Sequence, residues 1–196
     1  MSGPAPKKTN VCMSLSNLLA AKRSTIIKKW ISRIIETYPD DTRRFFKREK
    51  DRFANPVGST IAREIETLYD GLLKGDDTEK ISSSLDSIIR IRAVQDFTPS
   101  QSIAFVFQLK KLIREAVGTE ATSNGLLAEV QALEDKIDDT ALMAFDIYSK
   151  CRQKIYDIKV NEVKRQVSRL LQRANLVSEI PNLKPDLSDD NMDRLT

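Results

Sequence analysis

The sequence predicts an all-α fold: a helical bundle of about six helices whose last member is very long. Three observations carry this. Six glycines and seven prolines fall mostly at segment edges. Between them, apolar residues recur at spacings of three and four, the signature of one buried helix face. From Leu126 to Val177 there is neither Pro nor Gly, which leaves room for one helix of roughly 50 residues and about 75 Å.

Leu15, Leu18 and Leu19 open an apolar face that continues through Ile26, Ile27, Trp30, Ile31, Ile34, Ile35 and Tyr38, and Pro39 ends it. Paired apolar residues at each turn make a stripe wide enough for a globular core. A short basic helix over about 41–52 follows, with Phe45 and Phe46 expected inward. Asn55-Pro56 is a cap followed by a first-turn proline. It starts a helix with Ile61, Ile65, Leu68 and Leu72 inward, closed by Gly71 and Gly75. Asp76 with Glu79 places acids where a helix dipole favours them. The helix they start buries Ile81, Leu85, Ile88 and Ile89, running on to Ile91 and Val94.

The clearest start signal is Thr98-Pro99-Ser100-Gln101. Thr98 caps, Pro99 takes the first helical position, and Gln101 reaches back from three residues on. The helix that follows begins apolar nearly all round, with Ile103, Ala104, Phe105, Val106, Phe107 and Leu109, so it belongs at the centre of the bundle. Leu112, Ile113, Ala116 and Val117 extend its inner face to Gly118.

The long last helix carries two stripes. The first reads Leu126, Val130, Leu133, Ile137, Ala141, Ala144, Tyr148, Cys151, Ile155 and Ile158. The second, on a rotated face, reads Tyr156, Val160, Val163, Val167, Leu170, Ala174 and Val177, with the alternating spacing of a coiled-coil seam. Two arrangements fit this pattern. In one, the second half meets another chain, such as a second copy, or folds back as a hairpin. In the other, the helix breaks near Tyr156 to Asn161 and packs on its own domain.

Composition excludes several classes of function. The chain has 196 residues, 32 Lys plus Arg, 28 Asp plus Glu and no histidine. At 40% apolar residues, a chain of this size buries roughly 70% of its unfolded surface and needs no metal or disulfide scaffold. Without histidine there is no His-bearing triad, no His-ligated zinc and no proximal-His haem. No glycine-rich phosphate loop or nucleophile motif is present either, so an enzyme is not expected. Cys12 and Cys151 form no CxxC pair and suit a reducing compartment. No apolar run reaches the length of a membrane span, and the N-terminus is too polar for a convincing signal sequence. These features predict a soluble cytoplasmic protein.

The net charge of +4 hides a block pattern. Residues 22–52 carry eleven bases against five acids, residues 53–149 nine against sixteen, and residues 150–177 eight against two. The tail, 178–196, is acidic. Bases alternate with acids and apolar residues, and no aromatic stacking pattern accompanies them. Solvated helix faces, or complements to the acidic middle, therefore fit better than a nucleic-acid surface.

The run IRIRAVQDFTPSQSIAFVFQLKKLIREAV, residues 89–117, and NPVGSTIAREIETLYDGLL, residues 55–73, resemble the N-terminal domain of RsbRD-type RsbT co-antagonist proteins. The upstream KKWISRIIETYP fits the same pattern, and the resemblance covers roughly residues 15–150. It implies a globin-like, non-haem helical input domain of the stressosome type, signalling by protein contact. In such relatives a helix leads to a STAS domain that engages the RsbT kinase. Only about 19 residues follow the long helix here, so RsbT binding and STAS phosphorylation are not carried over. Stand-alone relatives occur near genes of membrane-bound electron-transfer complexes in sulphur-metabolising bacteria, which implies an alternative role as an adaptor or assembly protein of such a complex. No cofactor is expected. The segment before the central helix lacks a proximal histidine, and nothing marks Tyr69, Tyr148 or Cys151 as a haem ligand.

The expected layout is a disordered start (1–12), a sensor-type domain (13–150), an output helix (151–177) and a flexible acidic tail (178–196). Among residues of interest, Arg90 and Arg92 sit in a dense apolar context. They suit an anionic ligand or a partner, but Arg92 and Asp96, four apart, are better read as a surface pair helping the turn into Thr98. Asn55, Pro56 and Gly58 are read as a cap with a glycine permitting close helix approach. Trp30 and Phe105 are read as core anchors, and Glu134, Asp135, Asp138 and Asp139 as a solvated face. Val160, Val163, Val167, Leu170 and Ala174 are the expected partner seam.

Overall fold

The computed structural model describes residues 14–49, 51–75, 78–95, 97–119 and 125–174, and every regular element among them is a helix. In order these are α1 (Leu15–Ala21), α2 (Arg23–Ile35), α3 (Asp40–Arg48), α4 (Pro56–Lys74), α5 (Thr78–Val94), α6 (Pro99–Val117) and α7 (Leu127–Arg173). The two termini, Cys12, Asp76 and Asp96 lie outside the described residues. The chain divides into two units, one up to Lys154 and one from Ile155.

The expected first helix is two. Lys22 leaves helical geometry at φ −96°, ψ 3°, and its ammonium donates to the Ala116 carbonyl at 2.6 Å, at the C-terminal end of α6. The bend lets Leu15, Leu18 and Leu19 of α1 and Ile26, Ile27, Trp30 and Ile34 of α2 all reach the core. Each such aliphatic side chain contributes about 1.5–3 kcal/mol when fully buried.

In α3 only Phe46 packs on the core, while Phe45 is exposed. Neighbouring helical residues point about 100° apart, so a helix lying on the surface cannot bury both. Asn55 caps α4 by accepting from the Gly58 amide at 2.9 Å, and Gly75 ends the helix in the left-handed conformation at φ 75°. Gly71 lies within α4, where an added Cβ would meet Ile81 Cγ1 at 3.0 Å. Close approach of α4 and α5 therefore depends on Gly71. At Gly58 the nearest atoms are instead those of the Asn55 side chain, 2.5 Å from a Cβ.

On α5, Leu85, Ile88, Ile89, Arg92 and Ala93 are buried, while Val94 is largely exposed. The inner face therefore ends on an arginine and an alanine, because Val94 falls on the outer face. Helix α6 packs against α1, α2 and α5. It is not apolar-packed all round, since Phe107 is half exposed. Trp30 is fully buried and donates from its indole to the Phe105 carbonyl at 2.7 Å.

In α7, Leu133, Ile137, Ala141, Ala144 and Tyr148 are buried in the first unit. The acids of this stretch are not all solvated. Glu134 is only 3% exposed and takes a two-pronged bond from Arg114 at 2.5 and 2.6 Å. That bond holds its carboxyl below the usual carboxylate range. Lys110 likewise holds Asp138 at 2.6 Å. The bases on α6 face this side of α7, so part of the acid run meets protein instead of water. The helix is unbroken through Tyr156 to Asn161, and residues 156–174 are exposed.

Candidate functional site

Two turns meet at one end of the first unit. At the first, α2 unwinds after Ile35. The Thr37 and Tyr38 amides close short turns onto the Ile34 and Ile35 carbonyls, and the Thr37 hydroxyl donates to the Ile34 carbonyl at 2.7 Å. Pro39, at φ −55°, then starts α3. At the second turn α5 ends, and Thr98 starts α6 with a reciprocal capping box: its hydroxyl accepts from the Gln101 amide while the Gln101 side chain accepts from the Thr98 amide. Pro99 occupies the first turn.

Arg92 joins these turns. It is 0% exposed. Its Nη2 donates to Thr37 Oγ1 at 3.1 Å and to the Gln101 carbonyl at 3.0 Å. The guanidinium lies 4.1 Å from the Phe97 ring centroid and 5.6 Å from that of Tyr38, and the two rings meet edge to face at 5.2 Å. Burial pulls its pKa down and pushes that of Tyr38 up, because both charged forms lose water; an arginine still stays protonated at neutral pH.

This charge has no carboxylate partner among the described residues. Two of its nitrogens, Nε and Nη1, have no hydrogen-bond acceptor, and Ser102 Oγ is also unpartnered. The Tyr38 hydroxyl sits beside the guanidinium without a well-formed hydrogen bond to it. Buried polar groups are ordinarily satisfied; among the described residues Gln108 Oε1 is also unpartnered, and Arg92 is the residue with two such atoms.

Beside these two turns lies an open cleft of about 390 Å³, lined among the described residues by Thr37, Tyr38, Pro39, Thr42, Gln95, Phe97 and Gln101; the buried Arg92 is not itself a wall residue. The cleft volume is that of a small-molecule pocket. Helix α7 grips the same turn from behind. The Tyr148 hydroxyl donates to the Phe97 carbonyl at 2.7 Å, and Arg152 Nη1 donates to the Ala93 carbonyl at 3.1 Å.

Of the residues singled out in the sequence, Arg92, Thr98, Pro99 and Gln101 gather at or beside this cleft. Asn55, Pro56 and Gly58 form the α4 cap elsewhere, and Trp30 and Phe105 lie in the core. The expected surface pair is corrected at Arg92, which is buried; Asp96 lies outside the described residues. The surface pair one turn earlier is Arg90 with Asp86, at 2.5 Å. Tyr38 was expected only on the apolar face; Thr37, Gln95 and Phe97 lie within the runs that carry the family resemblance but, like Thr42, were not singled out as site residues. A signal for Arg92 was present: it continues the Leu85, Ile89 spacing and so falls on the buried face.

Other candidate groups are engaged elsewhere. The Tyr69 hydroxyl donates to the Leu19 carbonyl at 3.1 Å, and burial has pushed its pKa up to about 12. Cys151 is a free, half-buried thiol raised by burial. Among the described residues no cluster of three or more Asp, Glu or Cys is placed to hold a metal ion. No helix of the described residues is long and apolar enough to cross a membrane.

A protein of Archaeoglobus fulgidus, described as an uncharacterized protein, is 25% identical over 141 residues, covering 71% of this chain and 83% of its own. No solved structure matches the chain. Residues 24–163 match the RsbT co-antagonist protein rsbRD N-terminal domain. That span holds both turns of the cleft and extends the sequence resemblance along α7 to Val163. The protein belongs to this family of regulatory input domains.

Proposed function

We propose that this chain is a non-enzymatic cytoplasmic input module that signals by protein contact through the C-terminal part of α7. One observation carries the reading: a single helix is locked into the core at one end and bears an unburied apolar seam at the other. Val160, Val163, Val167 and Leu170 are 48–64% exposed. Together with Tyr156 and Ala174 they keep the alternating four-three spacing that coiled coils bury. Contiguous exposed apolar side chains on a soluble helix mark an interaction surface. A second copy of the chain is the simplest partner, because a seam of this kind complements itself.

A signal reaches the seam only if it favours one packing of α7 over another. Tyr148 and Arg152 bind the turn between α5 and α6 and supply such a point of leverage. The test uses a variant with both cysteines replaced and a single cysteine at Val167. A disulfide-linked dimer is expected under mild oxidation, and Val163→Asp is expected to abolish it. A monomer at micromolar concentration, with no crosslink at either Val167 or Leu170, removes self-association through the seam.

A further inference from the structure

The family match assigns no ligand to the cleft beside Arg92. We propose that it binds a small organic monocarboxylate, whose anionic head is held by the buried Arg92 guanidinium and whose apolar body lies against Tyr38 and Pro39. This rests on the reading of the chain as an input module and names the class of its input.

The argument begins with charge. A buried cation ordinarily has a carboxylate beside it, since desolvation is otherwise left uncompensated. Among the described residues Arg92 meets only neutral acceptors, Thr37 Oγ1 and the Gln101 carbonyl, and two of its nitrogens meet none. Four of the residues around its guanidinium, Thr37, Tyr38, Phe97 and Gln101, are also residues of the cleft wall. The first turn of α3 borders the same space through Pro39 and Thr42, and a helix start favours negative charge. The two acids of that turn, Asp40 and Asp41, do not line the cleft, and Asp40 is ion-paired with Arg43.

The chemistry of the wall selects among anions. Among the described residues it contains no Lys and no Arg, so the Arg92 guanidinium supplies the single positive charge. A divalent phosphate or sulfate would be left half neutralised, whereas a carboxylate is matched. Guanidinium donors also suit carboxylate geometry. The Tyr38 ring and Pro39 give an apolar body something to rest on.

The guanidinium is covered by the rings above it, so the carboxylate reaches it when Phe97 is displaced. The Phe97 carbonyl is the acceptor of Tyr148 on α7. Occupancy and the packing of α7 are therefore set by the same residue.

The experiment titrates the ¹⁵N-labelled full chain with benzoate, with its neutral isostere benzamide, and with sulfate. Benzoate is expected to give saturable shifts at the Thr42, Phe97 and Gln101 amides. Benzamide should bind at least about tenfold more weakly, and sulfate should not saturate. Arg92→Met should lose the benzoate response. Should that variant fail to fold, Thr42→Glu, which places a negative charge at the cleft wall, should weaken benzoate by about tenfold or more. No saturable benzoate response, equal binding of benzamide, or equal binding of sulfate each overturns the proposal. Hydrogen exchange across residues 155–173 separates it from the function reading. Saturable benzoate binding with unchanged exchange upholds the site and removes the output. A crosslinked seam in a protein that ignores benzoate upholds the output and removes the site.

Discussion

Replacing Arg92 by methionine tests the energetics on which the cleft depends. The substitution removes two hydrogen bonds from a charged donor, worth about 1.5–3 kcal/mol each. It also removes a cation–aromatic contact with Phe97 worth up to about 2 kcal/mol. Against these stands the desolvation of a guanidinium that is 0% exposed, several kcal/mol for an ion. No buried acceptor is left orphaned. The Thr37 hydroxyl keeps its bond to the Ile34 carbonyl, and the Gln101 carbonyl keeps the amide of Phe105 within α6. The unsatisfied Nε and Nη1 disappear, and a thioether of similar length fills the space. The expected change lies between neutral and a gain of about 4 kcal/mol, the range seen when apolar residues replace buried ion pairs. Urea unfolding should show an unchanged or higher midpoint with an unchanged slope. A loss of more than about 2 kcal/mol would instead make the guanidinium a structural clamp between the two turns and rule out a net cost of its burial.

Glu134→Gln should cost about 1 kcal/mol at pH 7, a figure held down by the exposure of its partner Arg114. Because the folded carboxyl lies below its ordinary value of 4.5, that contribution is full above about 4.5. It fades as pH falls through the lower folded value, so the variant should show a flatter acid limb in a pH series of urea melts. Gly58→Ala should be neutral to destabilising by about 1 kcal/mol, as its Cβ displaces the Asn55 cap. In an Asn55→Ala background the same change should stabilise by about 1 kcal/mol through helix propensity, a sign reversal readable in thermal melts. Ile137→Ala, at a fully buried position, should cost about 2–5 kcal/mol. Val163→Ala, on the exposed seam, should stay within about 0.5 kcal/mol in the monomer.

Helix content was legible because its signals are local. Asn55-Pro56 and Thr98-Pro99 with Gln101 fix helix starts within four residues, and a four-three spacing announces an apolar face wherever the chain later goes. The family resemblance was legible for the same reason, since contiguous stretches carry it. Periodicity, however, states which side of a helix is inward and not what lies against it. Whether the helix before Pro39 is one or two depended on Lys22 meeting the end of α6, a partner 94 residues away. The acid run of α7 looked solvated until the arginine and lysine of α6 came opposite it. Arg92 shows the division most sharply. Its place on the inner face of α5 could be counted from Leu85. That the space around it would hold rings, a threonine and an open cleft, and no carboxylate among the described residues, was decided only when two distant turns met. A charge is costed by its surroundings, and those surroundings are tertiary.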